Sequence, residues 1–254
     1  MSDETGAKPK AASAAKPKAG VEPKAAPKAA SAAKPKAAPK AVAKPKAVPV
    51  ARAAGAENRD RPPFPDLGQA DGPWSIENAP SDQPFISFGP LKIPAFPTLF
   101  VEIAVDPASR KAAAVSVALD SGSVEFKLIA APRGGGLWSD LRRAIAREAS
   151  AVGGTSQAVE GEFGTELIVT RPLPINKTTV SKLVSRCIGV EGDRWLLRAT
   201  VGSPDALSDE CVRKVNAFVS RCAVDRGDDP YGPGVVMALA FPQGGATLAI
   251  GEGV

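Results

Sequence analysis

Side chains able to do chemistry are few in this sequence, and their spacing suggests two places to look. Glu160, Glu162 and Glu166 share parity, so on one continuous strand their carboxylates project from a single face. Carboxylates grouped that way are what acid–base chemistry or a divalent cation requires. The same pattern also suits the solvated face of an edge strand, where charge discourages aggregation, and Gly164 can break the parity. The second place is Arg133-Gly134-Gly135-Gly136, which runs into a helical pattern. Free N–H groups at a glycine turn and a helix N-terminus can cradle an anion, with Arg133 assisting. The run lacks the G-x-x-x-x-G-K-[ST] spacing of a phosphate loop, and three glycines equally make a tight strand-to-helix turn. Arg142, Arg143 and Arg147 crowd the helix that follows, either adding to phosphate contact or forming its solvated face.

The chain has no histidine. Ser-His-Asp and Cys-His catalysis, histidine-bearing metal sites and the usual switch near neutral pH are therefore excluded. Cys187, Cys211 and Cys222 are odd in number and lack C-x-x-C spacing, so neither a disulfide framework nor a zinc site is expected. They read as reduced core thiols, with Cys222, at a helix end, the candidate for reactivity. With no nucleotide fingerprint either, no cofactor and no metal are expected, and an enzyme is the weakest reading.

Charge divides the chain. Residues 1–61 hold 14 Lys/Arg against 5 Asp/Glu, a balance of +9; residues 62–254 hold the other 18 against 22, a balance of −4. The first 50 residues contain 17 Ala, 11 Lys and 8 Pro, and the nonamer Ala-Ala-Ser-Ala-Ala-Lys-Pro-Lys-Ala occurs at 11–19 and again at 29–37. Proline every few residues removes backbone donors and disfavours helix, and the segment has too few apolar groups to offset its ordering entropy. Residues 1–61 are expected to form a disordered, extended basic arm, followed by a linker over 62–73. No apolar run reaches the roughly 18 residues of a membrane span, and the N-terminus lacks the apolar stretch of a signal peptide, so a cytoplasmic protein without membrane contact is expected.

The positioning elements begin near Gly72-Pro73-Trp74. Strands are expected at 85–88, 91–93, 99–105, 113–119 and 124–130, then a helix with Trp138, Leu141, Ile145 and Ala149 on one stripe, ended by Gly153-Gly154. Further strands fall at 158–162, 166–171, 180–190 and 194–201, the last two joined at Gly192-Asp193. A second helix, capped by Ser203 or Ser208, carries Leu207, Cys211, Val215, Phe218 and Cys222 on its apolar stripe. Residues 223–225 and 235–241 are extended. Arg226-Gly227-Asp228 reads as a turn before Pro230. The order predicts an α+β fold, a mostly antiparallel sheet packed with two main helices. The domain spans 74–242, a flexible C-terminus covers 243–254, and Trp138, Leu141, Ile145, Leu197, Val215 and Phe218 share one core. The topology is similar, as an analogy only, to the Mog1/PsbP-like sandwiches.

Several blocks carry a resemblance: Gly72-Pro73-Trp74, Leu91-Lys92-Ile93-Pro94, the segment from Ala131 to Trp138, Glu160-Gly161-Glu162-Phe163-Gly164-Thr165-Glu166-Leu167, the segment from Ile188 to Arg198, and Arg226-Gly227-Asp228-Asp229-Pro230. Over roughly 72–242 the chain resembles an actinobacterial family catalogued as domain of unknown function 3710. The resemblance implies a cytosolic actinobacterial protein and carries over no catalytic residue. The long Lys/Ala/Pro arm departs from the shorter N-termini of that family.

Two functional readings follow. In the first, a non-enzymatic protein associates with DNA or RNA, without sequence preference, through Lys8, Lys10, Lys16, Lys18, Lys24, Lys28, Lys34, Lys36, Lys40, Lys44 and Lys46. The arm resembles linker-histone tails in composition, which implies duplex association. In the second, the body is a protein-interaction or scaffold module and the arm is a solubilising or tethering device.

Overall fold

Strands over 124–130 and 195–201 carry a full apolar row on one parity (Val124, Phe126, Leu128 and Ala130; Trp195, Leu197, Ala199 and Val201) and one large apolar side chain each on the other (Ile129 and Leu196), so both faces of their sheet need cover, and the fold supplies it. The computed structural model describes residues 64, 67–96, 99–120, 122–176 and 180–242, with the backbone of 248–251. The expected disorder of 1–61, and the lysines named there, lie outside the described residues.

The chain opens with β1 (Trp74–Ser75) and a 3-10 turn (Ile76–Asn78), then β2 (Phe85–Phe88), β3 (Leu91–Pro94), β4 (Val101–Val105), β5 (Ala112–Ala118) and β6 (Ser123–Ala130). After α1 (Leu137–Ala151) come β7 (Thr155–Gly161), β8 (Gly164–Pro174), β9 (Val180–Gly192) and β10 (Trp195–Gly202). Then follow α2 (Asp209–Val219), β11 (Ala223–Val224) and β12 (Leu248–Gly251). Eight strands form one sheet in the order β12-β4-β5-β6-β10-β9-β8-β7, and four form a second in the order β1-β11-β3-β2. Pairing is antiparallel except at β12–β4 and β1–β11. This is the mostly antiparallel α+β architecture with two α-helices that the sequence order predicts. Residues 248–251 depart from the expected flexible C-terminus, since they line up beside β4 and extend the sheet past residue 242.

The two helices lie on opposite faces of the large sheet. Leu197 faces Leu128 and Val190 across the strands; with Ile188, Phe126 and Val124 these side chains meet Val215 and Phe218 of α2. The alternate residues Leu196, Ile129 and Cys187 point the other way and meet Trp138, Ile145 and Ala149 of α1. The expected single core is therefore two cores, because neighbouring strand residues point to opposite faces and each helix takes one parity. Leu207, placed on the α2 stripe by periodicity, is 50% exposed, because the helix begins only at Asp209.

Local signals set the helix ends. Ser208 caps α2, its Oγ accepting from the Cys211 N–H at 3.2 Å, and Asp209 and Glu210 sit in the positive first turn. Ser203, the other candidate cap, instead accepts from Asp205 N–H at 3.1 Å in the preceding turn. The nominal linker is partly core. Phe64 is buried against Phe96 and Phe218, and its N–H donates to Asp120 Oδ1 at 2.6 Å. The segment at 234–240 wedges between the diverging ends of β5 and β6, Met237 N–H donating to Leu128 and Leu239 N–H to Ala112.

Two tryptophans need glycine beneath them. A Cβ on Gly189 would lie 2.2 Å from Trp138 Cδ2, and one on Gly192 would lie 2.1 Å from Trp195 Cε2. Neither ring has room to retreat: Trp138 Nε1 donates to Thr165 O at 2.7 Å, and both side chains are buried. Gly189→Ala is expected to destabilise the fold by roughly 1–3 kcal/mol or more through overpacking. Gly134→Ala, at an open site without positive φ, is expected to change stability by less than about 0.5 kcal/mol. Denaturant midpoints of the two variants check this contrast, and equal losses would refute it.

Candidate functional site

The glycine turn before α1 holds an anion of its own chain. Gly135 and Gly136 adopt φ of 68° and 85°, which aims the helix start toward β9. Gly136 provides no side-chain cap. Glu191 of β9 supplies it instead, accepting from Gly136 N–H at 3.2 Å and from Trp138 N–H at 3.1 Å. A carboxylate there satisfies otherwise unpaired N–H groups and meets the positive end of the helix. Arg133, just before this turn, is exposed. Of the three arginines on α1, Arg143 and Arg147 are exposed, and Arg143 pairs with Asp140. Arg142 lies over the Trp138 ring at 5.9 Å.

The three glutamates are not a paired-carboxylate face. Strands β7 and β8 form a hairpin whose turn is Glu162-Phe163, with Glu160 opposite Thr165 and Val159 opposite Glu166. Side chains opposed across an antiparallel pair share a face, so Glu160 and Glu166 point to opposite sides of the sheet. Glu160 is exposed and accepts from Thr165 Oγ1 at 3.0 Å.

Glu166 instead meets a buried guanidinium. Arg186 of β9 donates through Nε to Glu166 Oε2 at 2.6 Å and through Nη2 to Oε1 at 2.7 Å. Both residues are 3% exposed. Nη2 also donates to Asn216 Oδ1 of α2 at 2.7 Å, and Asn216 Nδ2 donates to Glu162 Oε2 at 2.7 Å. The Gln69 amide closes the chain on Glu162 Oε1. Arg186 Nη1 is buried with no protein partner among the described residues. Sequence reasoning found the two glutamates and missed Arg186 and Asn216. The available signals were a charge inside the run Val184-Ser185-Arg186-Cys187-Ile188 and an amide next to the apolar stripe of α2.

Gln69 also lines an open depression of about 320 Å³ whose walls include Asp71, Trp74, Asp82, Gln83 and Arg221. Arg221 is held in place, Nε donating to Gly68 O at 2.9 Å and Nη1 to Gln83 Oε1 at 3.1 Å. On the other side of α2, Lys214 Nζ donates to Asp120 Oδ2 at 2.7 Å. Partial burial works to raise the Asp120 carboxyl, but Lys214 and the Phe64 N–H outweigh it and hold it below the ordinary carboxylate range. Among the described residues no group of three or more acidic or cysteine side chains could hold a metal ion, and no helix is long and apolar enough to cross a membrane.

A known family model, described as a protein of unknown function (DUF3710), matches the chain over residues 72–247. The chain belongs to the DUF3710 family. No curated protein and no solved structure matches it. In this DUF3710 domain the resembling blocks do structural work: Gly189 and Gly192 seat the tryptophans, Glu191 caps α1, and Glu162 and Glu166 serve Arg186.

The cysteines are free thiols, Cys187 and Cys222 buried and Cys211 half-buried. Burial pushes all three up from the ordinary thiol value. The thiolate is the reactive form, so a raised value lowers reactivity at any given pH. Cys222, the sequence candidate for reactivity, is fully enclosed, and its Sγ donates to Phe218 O at 3.5 Å. In the native protein at mildly alkaline pH, iodoacetamide is expected to modify Cys211 alone, faster as pH rises. Mass spectrometry showing Cys222 labelled as fast as Cys211 would contradict the burial argument.

Proposed function

We propose that this DUF3710 protein is a non-enzymatic, cytoplasmic binding protein that associates with nucleic acid through its lysine-rich arm. The observation that carries the reading is the partition of charge, +9 over residues 1–61 and −4 over 62–254. Lysine is a compact, strongly hydrated charge suited to phosphate contact without sequence preference. The first 50 residues contain no aromatic side chain, so stacking on bases is not expected from them. Because Glu191 already satisfies Gly136 and Trp138, we assign the phosphate contact to the eleven arm lysines, Lys8 to Lys46, and not to Arg133 and its glycine turn.

A second reading, a protein-interaction module tethered by the arm, is favoured by the polar depression beside Arg221. It is joined to the Arg186 network only through Gln69, which donates to Glu162, and offers two carboxylates and an indole to a polar partner.

Titration of labelled duplex DNA with the full chain tests the first reading. If five to ten phosphates are engaged, log K should fall against log salt with a slope of roughly −4.5 to −9. Replacing all eleven arm lysines by glutamine should flatten that slope and remove most of the affinity. Unchanged affinity, or binding indifferent to salt, would refute the reading.

A further inference from the structure

The large sheet has β7 as its last strand on one side, and no described strand pairs its outer edge. Alternate N–H and C=O groups of a seven-residue strand therefore face outward. Such an edge is a template for another strand unless something blunts it: lysine, proline, a bulge or a cover. Thr155-Ser156-Gln157-Ala158-Val159-Glu160-Gly161 contains neither lysine nor proline and carries a single charge. It pairs with β8 in an uninterrupted register, so no bulge twists it away. Five of its seven residues are exposed, and none of those five has a large apolar side chain.

We infer that β7 is the contact through which two copies of this chain associate, pairing antiparallel about a two-fold axis at Ala158. Symmetry restricts the register. Side chains opposed in an antiparallel pair lie on the same face, so a two-fold axis must set one residue against its own copy. Centring on Ala158, the midpoint of β7, keeps all seven residues paired. Ala158 then meets the partner's Ala158, the smallest side chain of β7 apart from Gly161. Gln157 lies across from the partner's Val159. Glu160, the only charge, lies across from the partner's Ser156, a hydroxyl that can donate to it, and never from the partner's Glu160. The strand can thus pair with itself without opposing like charges or bulky side chains at the axis, and the dimer would join two eight-stranded sheets into one. This association is independent of the arm.

Sedimentation equilibrium of the full chain over a wide concentration range tests it, with two substitutions that read the register. Ala158→Lys sets two ammonium groups against each other at the axis and is expected to weaken the dimer about tenfold or more, since like charges directly opposed are unfavourable. Ser156→Lys places a cation opposite the partner's Glu160 and is expected to leave the dimer as strong or stronger. A chain monomeric at every concentration, a dimer indifferent to Ala158→Lys, or equal weakening by both substitutions would overturn the proposal. Hydrogen exchange of the unmodified chain decides it even if a variant fails to fold. Outward β7 amides should gain protection as concentration rises, and protection that does not change with concentration would overturn the proposal.

Discussion

A guanidinium taken out of water must be answered by charge and hydrogen bonds, because its desolvation costs several kcal/mol. Arg186 imposes that constraint on this fold. Its side chain stands on β9 beneath α2, on the same face as Ile188 and the large apolar core. Glu166 answers with both carboxylate oxygens, and Asn216 with its amide oxygen. The arrangement then spreads outward, from Asn216 to Glu162 and from Glu162 to Gln69. Four parts of the chain far apart in sequence are thereby held in one register: the segment before β1, the β7–β8 hairpin, β9 and α2. The rotation of α2 about its axis follows from it, since Asn216 must point inward beside Val215 and Phe218.

The other face of the sheet solves a different problem by shape. There Trp138 lies on Gly189 and fixes α1 against β9, while Glu191, two residues along, caps the same helix. Side chains at 189 and 191 share a face, so the slot and the cap act together at the start of α1. The blocks that signal the family are therefore largely the means of fixing two helices on opposite sides of one sheet. The interactions proposed for this chain draw on other parts of it: the arm, the depression beside Arg221 and the edge of β7 that no described strand pairs.

Much of this was legible in the residues. The extended elements followed from β-branched and apolar runs bounded by turn residues, and α1 from the spacing of Trp138, Ile145 and Ala149. Of the two candidate caps for α2, Ser203 and Ser208, the second is the one used. The split into two cores was not legible, because helical periodicity shows that a stripe is buried without showing which side of a sheet it meets. The parity of Glu160 and Glu166 misled, because a two-residue turn at Glu162-Phe163 reverses the chain between them. The Arg186 network was invisible because its contacts join residues 20, 30 and 54 positions apart. Local pattern carries no information at that range. Phe64 lay inside a proline-rich stretch, and only its packing against Phe218 makes it core.

If the buried ion pair holds these elements together, its two members must be energetically inseparable. A double-mutant cycle on Glu166→Gln and Arg186→Gln, read by denaturant unfolding, measures that coupling directly. Each single change leaves a buried charge without its counter-charge and is expected to cost about 3–5 kcal/mol. The double change removes both charges and should cost far less than the sum, giving a coupling of about 2 kcal/mol or more. Single losses that simply add, with coupling below about 0.5 kcal/mol, would contradict the account.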